Sequence, residues 1–366
     1  MDPKQFLDTL AGQGITFFTG VPDSLLKEFI SCIEATVPRT HHITAANEGN
    51  AIALAAGYQL ATGAVPAVYL QNSGLGNAVN PLTSLADKEV YAIPMLLIVG
   101  WRGEPGVKDE PQHIKQGRIT PALLDILEIP RTDKLDEVGA LIERAKAESR
   151  PVALVVHADA FSAYPTTKAP AAVALTREAA IESVIAALNE RDIVVSTTGK
   201  ISRELYEVRK RTGQPTKDFL TVGSMGHASQ IALGIASQKP DRRVVCLDGD
   251  GATIMHMGAL ATAGLVKPNN FLHIVLNNKA HESVGGQPSA AGVIDIPAVA
   301  RACGYTTATA TTVNEIGSRI GEYKNAEGPH LLEIMVNLES RKDLARPAET
   351  PAQNKRSFID HLHGTN

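Results

Sequence analysis

Short apolar runs recur along the chain and alternate with longer amphipathic stretches. Val65–Leu70, Ile93–Val99, Val152–Val156, Ile193–Ser196, Val244–Leu247, Phe271–Leu276 and His330–Val336 are each four to seven residues long and rich in branched aliphatics. That length and composition predict buried strands. Ile15–Thr19, His41–Ala45 and Phe219–Val222 are weaker runs of the same kind. Between them the spacing predicts helices over Asp2–Leu10, over Leu25–Ile33 with Asp23 or Ser24 as its cap, from Asn47-Glu48 through Leu60, over Ile201–Lys210, through Ala236, and over Ala252–Val266. Lys267-Pro268 stops the last of these, because proline cannot continue a helix. Trp101–Gly117 reads as a polar loop and Ser357–His363 as a short terminal helix.

Strands that alternate with helices make a doubly wound parallel sheet. Here the alternation occurs twice: the fold class is α/β, with two such domains over residues 1–160 and 177–366, the second carrying a charged tail. Residues 161–176 have no periodicity and are dominated by Ala, Pro, Thr and Lys, which reads as a linker. It is too short to hold a middle domain.

Composition narrows the function without naming it. A net charge of −4 gives no electrostatic footprint for nucleic acid. No apolar run reaches membrane-spanning length, and the N-terminus lacks a signal-like apolar core. Cys32, Cys246 and Cys303 lie far apart without metal-binding spacing. A cytoplasmic protein with reduced thiols is the expectation.

The chemistry concentrates in residues 243–280. The strand Val244–Leu247 runs into Asp248-Gly249-Asp250-Gly251, then a helix, then the strand Phe271–Leu276, which ends on Asn277-Asn278. Right-handed connection makes the two strands parallel, so Asp250 and Asn278 share one carboxyl edge, where open α/β sheets bind ligands. A carboxylate and an amide oxygen suit a hard cation such as Mg²⁺, and glycines at a helix start expose N–H groups to phosphate. An Asp-Gly turn alone is common; the helix, strand and Asn pair in register with it are what make the stretch specific.

Gly249-Asp250-Gly251 followed by Asn277-Asn278, 278 − 250 = 28 residues on, resembles the signature of thiamine diphosphate enzymes. The resemblance implies thiamine diphosphate and Mg²⁺ as cofactors, with Asp250, Asn278 and the carbonyl of Ala280 as metal ligands. It pairs a pyrimidine-binding first domain with a diphosphate-binding second one. Glu48, in Ala45-Ala46-Asn47-Glu48-Gly49, matches the glutamate that exchanges a proton with the pyrimidine ring. Met225, between Gly223-Ser224 and Gly226, matches the wedge that bends the cofactor, with the Gly223 carbonyl on the ring amine. Thr198-Gly199, Gly249, Gly251, Ala252 and Asn72 are the remaining implied cofactor contacts. The ordinary alternatives are a helix-start glutamate and a core methionine.

Dense polar stretches at Gly20–Ser24, Gln71–Asn77, Trp101–His113 and His281–Pro288 extend the likeness to the family's 2-oxo acid decarboxylases. They imply decarboxylation of 3-phosphonopyruvate to phosphonoacetaldehyde and CO₂. Sulfopyruvate is the rival substrate, and a carboligating enzyme or a non-catalytic binding subunit are the rival classes. Asp23, His113 and His281 are then the implied substrate-side acid–base groups, with Ser24, Arg102, Lys108 and Lys200 as substrate contacts. The resemblance further implies a homo-oligomer with active sites at subunit interfaces.

Overall fold

The computed structural model describes residues 1–165, 173–323, 326–341 and 343–364. The chain divides into two compact units, Met1–Lys168 with His281–Gln287, and Ala169–Ala280 with Pro288–Asn366.

The first unit holds β1 (Phe18–Gly20), β2 (His42–Thr44), β3 (Ala67–Gln71), β4 (Met95–Gly100), β5 (Arg131–Thr132) and β6 (Pro151–Val156). They form one parallel sheet in the order β2-β1-β3-β4-β6-β5. Successive β4 residues enter opposite cores: Leu96 and Ile98 join Phe6, Phe29 and Val152, whereas Met95, Leu97 and Val99 join Ile52, Ala55 and Leu75. Helices cover both faces, which is why the strand reads as a continuous apolar run without polar alternation.

The second unit holds β7 (Ile193–Ser196), β8 (Phe219–Leu220), β9 (Val244–Gly249) and β10 (Phe271–Asn277). A small two-stranded ladder follows, β11 (Ala280–His281) with β12 (Gln287–Pro288), then β13 (Thr306–Ala310) and β14 (His330–Met335). The large sheet is again parallel, in the order β8-β7-β9-β10-β14-β13. Numbered within its own unit, each sheet has the same strand order, so one doubly wound design occurs twice. In both, the winding order reverses between the first and third strands, and the carboxyl ends at such a switch point are where open α/β sheets bind ligands.

Several expectations need correction. The helix expected over Ala252–Val266 is two helices, Asp250–Met255 and Gly258–Val266. The break falls at His256, whose ring packs 4.4 Å from that of His227 and against Gly226, where a Cβ would lie 2.6 Å from His256 Cδ2. The helix expected from Leu25 starts at Lys27 and has no side-chain cap; the Asp23 carboxylate instead accepts the Leu25 N–H at 3.0 Å. The polar loop ends early, because Pro111–Ile126 is helical with proline in its first turn. The strands β5 and β13 escaped the pattern: one has two residues, and the other, Thr-Thr-Ala-Thr-Ala, lacks bulky apolar side chains. The expected linker falls partly on residues 166–172, outside the described residues. At its described ends, Phe161 stacks in the first core and Leu175 joins the second.

Candidate active site

In the first unit the site residues follow β1, β2, β3 and β4. Glu48 opens the helix Glu48–Thr62, whose N-cap is Asn47, with its side chain accepting the Asn50 N–H at 2.9 Å. Despite its charge Glu48 is buried. Its Oε2 accepts Asn77 Nδ2 at 2.7 Å, and Oε1 lies against Gly74, where a Cβ would come within 2.3 Å. Only glycine there leaves the carboxylate its place. Asn77 ends the polar stretch Gln71–Asn77, but nothing in the sequence ties it to Glu48.

A second cluster joins the ends of β1 and β4. Asp23 is fully buried, and its Oδ1 has no hydrogen-bond partner among the described residues. Gly100 makes room for it, since a Cβ there would lie 2.1 Å from Oδ2. Arg102 donates Nε to Asp109 Oδ2 and Nη1 to Ser24 Oγ, both at 2.8 Å, and Nη2 to Asp109 Oδ1. Asn72 holds the Arg102 backbone from both sides, accepting its N–H at 3.2 Å and donating to its carbonyl at 2.8 Å; it donates also to Thr120. His113 is buried on the helix Pro111–Ile126, with Nδ1 unpartnered among the described residues. Burial first, then the Arg102 charge, push its imidazole down to about 4, so it is neutral at pH 7. Lys108 is exposed on the intervening loop. His281, at the end of β11, is pushed down to about 4 by burial.

Burial pushes the Asp23 carboxyl up to about 6, while the Leu25 N–H and the Arg102 charge pull it down. The folded state therefore keeps a proton that the unfolded chain releases near pH 4. Stability is full below pH 4, falls as pH rises to 6, and is lower by about 3 kcal/mol at neutral pH. Asp23→Asn is expected to melt several degrees above the unmodified protein at pH 7.5, with the gap closing at pH 4. Calorimetric melting at both pH values checks this, and an equal gap at both refutes it.

In the second unit the β9 and β10 termini lie side by side. Asp250, the first residue of Asp250–Met255, is buried and accepts the Ser289 hydroxyl at Oδ2. Burial, the largest influence, raises its carboxyl to about 6, against the pull of Ser289. Behind it Asp248 accepts the Gly249 N–H at 3.0 Å and meets His273 Nε2 at 3.2 Å, which fixes the start of the turn. The two asparagines divide their work. Asn277 reaches back to Glu333 on β14 at 2.8 Å and accepts the Lys279 N–H. Asn278, beyond the strand end, accepts the Ala280 N–H at 3.1 Å. Lys279 between them has φ 59°, which turns the chain at this point.

Thr198 donates to the Val222 carbonyl at 2.8 Å, linking the loops after β7 and β8, and Gly199 at φ 93° starts the helix Lys200–Arg211. Lys200 donates to Ser340 at 2.7 Å. Gly223–Gly226 is a tight turn: Ser224 has φ 51° and Gly226 φ 84°, and half-buried Met225 sits between them. Gly249 has nothing closer than Ile201 Cδ1, 3.4 Å from where its Cβ would be, and Gly251 and Ala252 follow Asp250 on the short helix.

The residues present fit thiamine diphosphate and a hard cation. Asp250, Asn278 and the Ala280 carbonyl are an all-oxygen donor set, the kind that Mg²⁺ takes. The buried hydroxyls of Thr197, Thr221 and Thr253 lack partners among the described residues. They follow β7 and β8 and lie in the helix after β9, and buried polar groups without partners are exceptional unless a ligand satisfies them.

Comparison with known proteins gives the same direction. Residues 4–125 match the family described as "Thiamine pyrophosphate enzyme, N-terminal TPP binding domain", and residues 197–334 its C-terminal TPP binding domain. A phosphonopyruvate decarboxylase of Streptomyces viridochromogenes is 38% identical over 95% of this chain and 92% of its own length. One from Streptomyces hygroscopicus is 36% identical over 97% and 92%. The sulfopyruvate decarboxylase subunit beta of Methanocaldococcus jannaschii is 33% identical over 43% of this chain and 79% of its own.

Proposed function

The chain belongs to the thiamine pyrophosphate enzyme family, among its decarboxylases, and we propose that its substrate is 3-phosphonopyruvate, cleaved to phosphonoacetaldehyde and CO₂. The observation behind this is the carboxyl edge of the first sheet, where buried Asp23, Ser24 and half-buried Arg102 meet. An uncharged 2-oxo acid tail gives no reason for a guanidinium there; a phosphonate does.

When bound, thiamine diphosphate supplies the nucleophilic carbon and the electron sink for decarboxylation. Asp250, Asn278 and Ala280 would hold Mg²⁺ on its diphosphate, with Thr198, Gly199, Gly249, Gly251 and Ala252 around the phosphates. Glu48 would hold a proton for the pyrimidine ring, Met225 would be the apolar wedge that packs against the cofactor, and the Gly223 carbonyl would accept the ring amine. Asn72 enters as the clamp behind Arg102. Asp23 and His113, and His281 from its own loop, would move protons to and from substrate. Burial brings the Asp23 carboxyl to about 6, where it can give or take a proton close to neutral pH, and keeps both imidazoles neutral, with a ring nitrogen open to accept one. Lys108 and Lys200 are secondary candidates for the anion. We place the protein in the cytoplasm, as its unpaired cysteines suggest, and as a homo-oligomer with sites shared between subunits; the beta-subunit naming of the methanogen relative supports assembly.

Purified protein is expected to form phosphonoacetaldehyde only with both thiamine diphosphate and Mg²⁺, and to lose turnover on chelation. A sulfonate also fits an arginine fork, so sulfopyruvate belongs in the same assay. Higher kcat/KM for sulfopyruvate rules out the proposed substrate.

A further inference from the structure

An arginine side chain offers about five N–H groups in a planar fork. Arg102 gives three to Asp109 and Ser24. The remaining two (5 − 3 = 2), one on each terminal nitrogen, have no partner among the described residues. Two such donors can bridge two oxygens of a tetrahedral oxyanion.

The guanidinium is held with unusual firmness. Asp109 takes two of its N–H groups and also accepts the Gly103 and Glu110 backbone N–H groups, both at 2.7 Å. Burial alone would raise the Asp109 carboxyl, but Arg102 and these two amides outweigh it and hold it well below the usual range. The loop is bolted to the helix behind it: Trp101 Nε1 donates to the Gly117 carbonyl at 2.8 Å, and a Cβ on Gly117 would lie 1.7 Å from the Gly103 carbonyl oxygen. Asn72 clamps the Arg102 backbone. Nearby polar atoms are left over, namely Asp23 Oδ1 on a fully buried carboxyl and His113 Nδ1. A rigid arginine with spare donors, electrostatically coupled to a buried carboxyl with one oxygen unpartnered among the described residues, is what a ligand site requires beforehand.

We propose that Asp109 is the positioning residue that makes Arg102 the receiver of the substrate's second anionic group, and so sets this chain's preference for doubly anionic 2-oxo acids over pyruvate. Asp109 does not touch substrate; it aligns the fork and fixes which N–H groups stay open. The inference rests on the decarboxylase assignment for its substrate, but the receiver itself can be read by binding alone.

The test uses the cofactor-loaded protein and the variants Asp109→Asn and Ser24→Ala. Steady-state rates with 3-phosphonopyruvate and with pyruvate give the discrimination ratio. Calorimetry with phosphonoacetate, sulfoacetate and acetate gives binding without turnover. In Asp109→Asn the ratio is expected to fall about tenfold, mostly through KM, and phosphonoacetate to bind about tenfold more weakly. Sulfoacetate weakening in parallel identifies a general oxyanion receiver and supports the proposal. Equal losses for both substrates, or phosphonoacetate binding that the variant leaves intact, overturn it. If Asp109→Asn does not fold, Ser24→Ala decides: an unchanged ratio and unchanged phosphonoacetate binding overturn the proposal. Should the unmodified protein turn over neither substrate yet bind phosphonoacetate in an Asp109-dependent way, the substrate assignment fails while the receiver stands.

Discussion

Glu48→Gln is expected to lower the decarboxylation rate about 10³-fold, with the melting temperature nearly unchanged. The size follows from what the substitution removes. Glutamine keeps the length of the side chain and can still accept the Asn77 amide that Glu48 Oε2 accepts at 2.7 Å. It also meets Gly74 as the carboxylate does, without a Cβ in the way. What it lacks is an exchangeable proton, and a positioned acid–base group contributes about 10²- to 10⁴-fold. Because Glu48 begins a helix, losing its charge also removes a favourable dipole contact of about 0.5 kcal/mol, too little to unfold the unit. Single-turnover rates at saturating cofactor, alongside melting curves, separate the two effects. A variant as fast as the unmodified protein shows that Glu48 is an ordinary helix-start glutamate.

The fold was legible where burial imposes continuous apolar runs, as in β4, β6, β9 and β10, and illegible where strands are short or small-sided, as in β5 and β13. The strand ends that carry Asp250 and Asn278 could be read because the pattern is local: each residue follows an apolar strand, and the two strands are adjacent and parallel. The partners that hold the site could not. Asn77 reaches Glu48 from the helix Leu75–Pro81, and Asp109 and Ser289 reach Arg102 and Asp250 from loops; no spacing rule encodes these pairings. The helix that replaces the end of the Trp101–Gly117 loop, from Pro111 on, has the same origin, since Gly103 and Gly117 give no helical signal yet allow the loop to press on the helix. Lys108, which looked equal to Arg102 by charge, is exposed, while Arg102 is the one built into the unit.

Asp250→Ala is expected to weaken thiamine diphosphate binding at least a hundredfold and, at the same time, to leave the cofactor-free protein as stable as before or more so. The two effects have opposite causes. Cofactor-free, Asp250 is a buried carboxyl that burial disfavours in its charged form, with Ser289 as its side-chain hydrogen-bond donor. Removing it relieves that desolvation, at the cost of a small cavity and an unpartnered Ser289 hydroxyl. With Mg²⁺ present, the same carboxylate is the only charged oxygen in the Asp250, Asn278 and Ala280 donor set, so its loss removes the strongest attraction for the cation. A hundredfold loss of affinity corresponds to about 2.7 kcal/mol. At a cofactor concentration of a hundred times the unmodified Kd, that is the whole stabilisation binding can give. The melting temperature of the unmodified protein should therefore rise on adding thiamine diphosphate with Mg²⁺, and that of Asp250→Ala should stay nearly where it was. Asp250→Asn, which keeps an oxygen donor but not the charge, should fall between them. A variant that is stabilised by the cofactor as much as the unmodified protein moves the metal away from the β9 terminus.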